Sequence, residues 1–232
     1  MCGRSTLTVL EKELEKRFNA TFYSDDLLQY NPLPNYNVAP THMHPVITNQ
    51  DQAHLQYFRW GLIPSWAKDI KMGYKMINAR IETVLEKRAF KSAFKSQRCL
   101  VPYDGFYEWK KTPNGKQPYR IITTNTTVFS VAGLWAKWTS PDGDHIHSFT
   151  LLTQGPNDLM KDIHDRMPAI LTPEQEELWL DDDVPLKDLK EMIQPYPDEW
   201  MSAYPVSKRV GNVKENDEGL IKEIPIQTTL DL

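Results

Sequence analysis

A mixed α+β fold, a single domain with a largely antiparallel sheet or open barrel flanked by helices, is predicted by three observations on this 232-residue chain. Strand-like runs outnumber helix-like ones. They arrive in succession instead of alternating strictly with helices. No Gly/Ser linker, low-complexity tract or repeat of 20 to 50 residues divides residues 1–232. The 17 prolines are spread throughout, as a loop-rich fold of this class requires.

In chain order, Leu7, Leu10, Leu14 and Phe18 recur at steps of three and four, which predicts an amphipathic helix over 6–18. Such a helix would anchor a chain start that is normally frayed. Strands are read at 45–48, 54–60 and 76–82. Thr83 and Glu86 match a capping box, so a second helix is expected from Thr83, with Leu85, Ala89, Phe90, Ala93 and Phe94 as its apolar stripe. Four more strands are read at 100–110, 118–124, 128–135 and 147–153. Thr172-Pro173, with Gln175 at the reciprocal capping position, starts a third helix, and a fourth follows Pro185 through Leu186, Leu189 and Ile193.

Composition narrows the function classes. No run of 18 apolar residues exists, and the first twenty residues carry seven charges from Arg4 to Arg17, so no signal peptide or membrane anchor is expected and the protein should be cytoplasmic. Cys2 and Cys99 are the only cysteines, too few for a disulfide framework or a zinc ribbon. The net charge of -4 argues against a general polyanion binder but is unevenly distributed. Lys87, Arg88, Lys91, Lys95 and Arg98 form a basic stretch that would suit phosphates, and an acidic one runs from Glu174 to Asp183.

Cys2 is the most informative single residue. Removal of Met1 would leave one residue with both a free α-amine and a thiol, titrating at about 7.7 to 8.0 and about 8.5. The amine can add to an aldehyde to give an imine, and the thiol can close onto it to form a thiazolidine ring, which an internal cysteine cannot do.

Three further constellations carry chemistry. In Asp104-Gly105-Phe106-Tyr107-Glu108-Trp109, strand alternation puts Phe106 and Glu108 on one face, where desolvation should raise the carboxyl pKa. Asn78, Arg80 and Glu82 share a strand face that suits an anion-binding pocket. His164, between Asp162, Asp165 and Arg166, is the strongest proton-shuttle candidate. The pairs His42/His44 and His145/His147 lack a third ligand of recognisable spacing, so no metal site is expected. Trp66, in the loop Gly61-Leu62-Ile63-Pro64-Ser65-Trp66, reads either as a platform on which a base or sugar could stack or as a half-buried cap on the core.

Taken together, Met1-Cys2-Gly3-Arg4, Tyr36-Asn37-Val38-Ala39-Pro40, Trp60 to Trp66, Asn78-Ala79-Arg80-Ile81-Glu82-Thr83, Asp104 to Trp109 and Ile163-His164-Asp165-Arg166-Met167-Pro168 resemble the SRAP (SOS response-associated peptidase) family. The match runs in family order from residue 1 to about 214, which leaves a tail over about 215–232. The resemblance implies loss of Met1 and a covalent thiazolidine between Cys2 and the ring-opened aldehyde of an abasic site in single-stranded DNA. That crosslink would shield the lesion during the DNA damage response, with no cofactor and, as expected here, a monomeric protein. The resemblance further implies that Asn78 orients the Cys2 amine, that Glu108 shuttles protons and that His164 assists sugar ring opening. Arg4, Arg80 and Arg166 would hold phosphates, Asn37 would join the DNA contacts, and Pro40 and Trp66 would shape the pocket or wedge the strand. Where some members carry a second aromatic after Trp66 this chain has Ala67, which implies a smaller wedge.

Two other readings stay open at this level. One is an N-terminal-nucleophile or cysteine peptidase acting on proteins, with Cys2 attacking and His164 as base. The other is a non-covalent single-stranded DNA binder relying on Trp66 and the basic helix.

Overall fold

Two sheets organise the protein, whose computed structural model describes residues 2–30 and 32–225. The first half of the chain runs β1 (Ser5–Leu7), α1 (Glu11–Phe18), β2 (Thr21–Phe22), α2 (Ser24–Gln29), β3 (Asn35–Val38), β4 (Met43–Thr48), β5 (Asp51–Trp60), β6 (Asn78–Arg80), α3 (Arg88–Ser96), β7 (Arg98–Tyr103) and β8 (Gly105–Thr112). The second half runs β9 (Gly115–Thr123), β10 (Phe129–Thr139), β11 (His145–Gln154), α4 (Asp158–Lys161), β12 (Met167–Pro168), β13 (Ile170–Leu171), α5 (Pro173–Leu180), α6 (Leu186–Glu191) and β14 (Met201–Pro205).

The larger sheet follows the order β12-β11-β10-β7-β4-β5-β2 and is closed by a parallel pairing of β5 with β11, Arg59 opposite Ser148 and Trp60 opposite Phe149. Strands β11, β10, β7, β4 and β5 therefore form a five-stranded barrel, antiparallel but for the closing pair. Alternation along the strands explains why it closes. In β10, Phe129, Val131 and Trp135 join the cluster that fills the barrel with Phe58, Trp60, Val101 and Phe149. The intervening Ala132, Leu134 and Ala136 join an outer cluster with Leu14 of α1, Phe94 of α3 and Trp179 of α5. Strands apolar on both faces read as continuous hydrophobic runs, and helices must cover the outside.

The smaller sheet is wholly antiparallel in the order β14-β9-β8-β1-β3. It meets the barrel at Asp104, the corner between β7 and β8, where the carboxylate accepts bonds from the Thr6 and Thr8 hydroxyls and the Thr8 N–H and pairs with Arg120. This corner fixes β1, and with it the residues just after Cys2, against β8.

The mixed α+β class and the barrel follow the sequence pattern, and several boundaries are corrected. The helix expected over 6–18 begins only at Glu11, because residues 5–7 pair as β1 and Leu7 is a fully buried strand residue. The helix expected from Thr83 begins at Arg88; the Thr83 carbonyl instead closes a single turn on the Glu86 and Lys87 N–H groups. The run 100–110 is two strands in two sheets, and strand 76–82 is shortened to β6. At α5 the capping box forms as expected, with Thr172 and Gln175 each bonding the other's backbone N–H. Among the described residues no helix is long and apolar enough to cross a membrane. Residue 1 and the part of the expected tail beyond 225 lie outside the described residues.

Candidate active site at the amino terminus

Cys2 is buried, 2% exposed, and is held from the barrel side by Asn78 at the start of β6, whose amide Nδ2 donates to the Cys2 carbonyl at 2.8 Å. β6 lies parallel to β11, with Asn78 opposite Leu151, so the amide is fixed by barrel backbone rather than by a free loop. From the other sheet comes Glu108 of β8, also 2% exposed, whose carboxyl lies against the Cys2 thiol. The alternation read for this strand holds, since Phe106 faces the barrel cluster while Tyr107 and Trp109 join a separate cluster with Val206, Val210 and Leu220.

His164 completes the group. It follows α4, with its N–H bonded to the Met160 carbonyl at 2.8 Å, and its Nε2 stands 3.9 Å from Glu108 Oε2. The Arg166 backbone N–H donates to His164 Nδ1 at 3.0 Å. A backbone N–H only donates, so Nδ1 is the acceptor of this bond, which orients the ring with Nε2 toward Glu108. Asp165 Oδ1 also lies 3.0 Å from Nδ1, on a side chain that is 89% exposed.

Burial dominates the electrostatics. The Cys2 thiol is pushed well above its usual value, first by desolvation and then by the neighbouring Glu108 carboxylate. Burial likewise raises Glu108, against opposing pulls that include His164. Asn78 Oδ1 and Glu108 Oε1 are buried with no hydrogen-bond partner among the described residues. Unfilled acceptors at the meeting point of two sheets are costly in a folded state and are expected where a substrate supplies the missing donors.

The remaining sequence-predicted residues fall into three groups. Arg166 and Arg80 adjoin the site: Arg166 forks onto Glu82 with bonds of 2.6 and 2.9 Å and reaches the Thr153 carbonyl at 2.6 Å, while Arg80 is exposed at the end of β6. The Arg166 bond, with Arg80 adding, holds Glu82 below the usual carboxylate range. Trp66 is 43% exposed in the loop after β5, with the Arg88 guanidinium 4.8 Å over its ring. That loop opens at Gly61, whose φ of +116° and contact with the Gly73 carbonyl exclude any side chain. Pro40, half-buried, precedes a turn bonded to both the N–H and the carbonyl of Trp60. Arg4 and Asn37 instead turn toward the segment after β14, bonding one another at 2.7 Å.

Sequence reasoning missed two features. Arg98 does not join a phosphate face; it is buried and spends its guanidinium on the Trp179, Phe94, Lys95 and Asp181 carbonyls and on Asp182. Lys87, Arg88, Lys91 and Lys95 remain exposed. Tyr103, whose ionisation is opposed by burial and by the nearby Cys2, had no signal beyond its place in an apolar strand.

The family model described as SOS response associated peptidase (SRAP) matches residues 1–213. The chain is similar to "Abasic site processing protein YoqW" of Bacillus subtilis (strain 168), 44% identical over 225 residues, covering 96% of this chain and 99% of that one. It is also similar to "Abasic site processing protein HMCES" of Xenopus tropicalis, 34% identical over 262 residues, covering 93% of this chain and 76% of that one. An X-ray structure of a protein from Bacteroides thetaiotaomicron superposes with a TM-score of 0.90 at 28% identity, over 97% of this chain and 100% of that one. A family model spanning nearly the whole chain, relatives this similar over most of its length, and a common fold lead to one conclusion: the chain belongs to the SRAP family.

Proposed function

We propose that this protein senses abasic sites in single-stranded DNA and becomes covalently joined to them through Cys2, as the names of its relatives and the surroundings of that residue support. The observation that carries the reading is the approach to Cys2 of an amide and a carboxyl from two separate strands, with Asn78 bonded to it at 2.8 Å and Glu108 against its thiol, and with the His164 imidazole 3.9 Å behind the Glu108 carboxyl.

The chemistry balances as follows. Hydrolysis of the Met1-Cys2 bond, the peptidase-like step, consumes one water and frees the α-amine. His164 assists opening of the abasic sugar to its aldehyde. The amine nitrogen attacks the aldehyde carbon, and loss of one water gives an imine. The sulfur then bonds to the same carbon while its proton passes by way of Glu108 to the imine nitrogen, closing the thiazolidine with no further atom lost. A carboxyl whose pKa burial raises is suited to carry that proton near neutral pH. Arg80, Arg166 and the exposed basic residues around Trp66 would hold the strand, Arg166 by exchanging Glu82 for phosphate.

The same geometry disfavours a cysteine peptidase. Such enzymes need a thiolate, favoured by positive neighbours, whereas Cys2 is buried beside a carboxyl that keeps its proton on. The test is to incubate Met1-free protein with single-stranded DNA containing an abasic site and with intact DNA. A band that survives denaturing electrophoresis should form only with the former, and an unshifted band in both would refute the proposal. A purely non-covalent binder would retain DNA in native gels yet release all of it on denaturation.

A further inference from the structure

The segment 206–221 runs back over the outer face of the smaller sheet, where Val206, Val210 and Leu220 are buried against Tyr107, with Trp109 and Tyr36 alongside. It is braced internally, since Arg209 pairs with both Glu215 and Asp217 and the Ser207 and Asp217 side chains cap its turns. Three carbonyls of this strap face one side chain: Asn37 Nδ2 lies 2.8 Å from Glu215 O, 3.0 Å from Asn212 O and 3.4 Å from Val210 O. Asn37 Oδ1 accepts from Arg4 Nη1 at 2.7 Å, and the same nitrogen donates to the Val210 carbonyl. Arg4 is two residues from Cys2, and its own carbonyl accepts the Tyr107 N–H at 2.9 Å.

We infer that Asn37 is a positioning residue for Cys2, coupling the strap over 206–221 to the reactive amino terminus through Arg4, rather than a contact to DNA. At 1% exposure, with its donors and its acceptor engaged inside the protein, Asn37 has no face left for a phosphate. An amide is the group this junction needs, because it must accept from a guanidinium and donate to carbonyls at once. A carboxylate would face those carbonyls with a second set of acceptors, and an alkyl group would leave them unpaired. Cys2 is then held from two sides, by Asn78 across the barrel and by Arg4, Asn37 and the strap across the sheet. The inference deepens the crosslinking proposal and rests on it for its functional consequence.

The test compares Asn37→Ala and Asn37→Asp with the parent, each first checked for a cooperative melt. The crosslinking rate with abasic single-stranded DNA should fall about tenfold or more, as misplacement of a reacting group does. In a Cys2→Ser background, affinity for the same oligonucleotide and its salt dependence should stay at the parent's values, since no phosphate contact is lost. Amide exchange over residues 3–7 and 207–217 should quicken together. Affinity falling in step with rate would make Asn37 a DNA contact and overturn the inference, as would an unchanged rate. Should Asn37→Ala not melt cooperatively, Asn37→Asp, which keeps the side-chain volume and the Arg4 bond, carries the comparison. A parent protein that forms no adduct defeats the crosslinking proposal instead, and the exchange measurement still decides whether Asn37 couples strap and amino terminus.

Discussion

The two cysteines of this chain are equally hidden and differ in everything around them. Cys99, on β7, is fully buried in the barrel, and its thiol is pushed up by desolvation alone. Cys2 is buried to nearly the same degree, and its thiol is also pushed up, but a carboxyl and an amide, each with an unfilled acceptor, adjoin it, and an imidazole lies 3.9 Å beyond the carboxyl. Burial and the direction of the thiol shift therefore do not tell the two cysteines apart. The difference lies in the polar neighbours of Cys2 and, under the proposed function, in the α-amine that loss of Met1 would free there.

The largest effect that could break this comparison comes from exchanging the cysteines one at a time. Cys2→Ser should abolish the denaturation-stable adduct, leaving at most a reversible imine, whereas Cys99→Ser should crosslink at the parent's rate once folded; equal losses in gel assays would erase the distinction. Next, Glu108→Gln removes the proton carrier and should slow adduct formation about 10²- to 10⁴-fold, read as single-turnover kinetics. Asn78→Asp replaces a donor to the Cys2 carbonyl by a second carboxylate and should slow the same step about 10- to 100-fold, with the melting temperature showing whether misfolding contributes.

Stability sharpens the contrast from the other side. Burial raises Glu108 above its usual 4.5, so the folded state holds this proton more tightly than the unfolded chain, and stability falls as pH rises from 4.5 through the folded-state pKa. The deficit persists at neutral pH. Glu108→Gln should therefore melt higher than the parent at pH 7, with the gap closing as pH falls toward 4.5. A variant that melts lower at every pH would make Glu108 a structural residue. Around Cys99 the opposite holds. A Cβ on Gly133 would meet Cys99 Sγ and Val101 Cγ2 at 2.8 Å each, so Gly133→Ala should cost about 1–3 kcal/mol in denaturant melts without changing the chemistry at Cys2.

Much of this was legible in the sequence, for physical reasons that also mark where legibility ends. Strands such as β10 and β11 were visible because both faces are apolar, and α5 because its capping box is local. Leu7 was misread because apolar residues at 7, 10 and 14 suit a helix as well as a strand followed by a helix, and only pairing with β3 and β8 decides between them. Short strands such as β3 and β14 carry too few residues to show a period. At the site, Cys2, Asn78, Glu108 and His164 could be named individually, but their approach joins segments up to 162 positions apart, between residues 2 and 164, which no local pattern encodes. Charge was the least legible property. Arg98 and Arg166 look alike in sequence, yet one is sealed among carbonyls and the other is forked onto Glu82 beside the site. Asn37, read with the DNA contacts, is turned inward by partners more than 170 positions away.

The most direct test of the central claim, that both the nitrogen and the sulfur of Cys2 end on one aldehyde carbon, is the intact mass of the adduct between Met1-free protein and an abasic oligonucleotide, taken with and without borohydride. A closed thiazolidine gives the sum of the two masses less one water, unchanged by the reductant. A species that gains two hydrogens on reduction is an open imine made by the amine alone, and that result, or no adduct at all, would contradict the account.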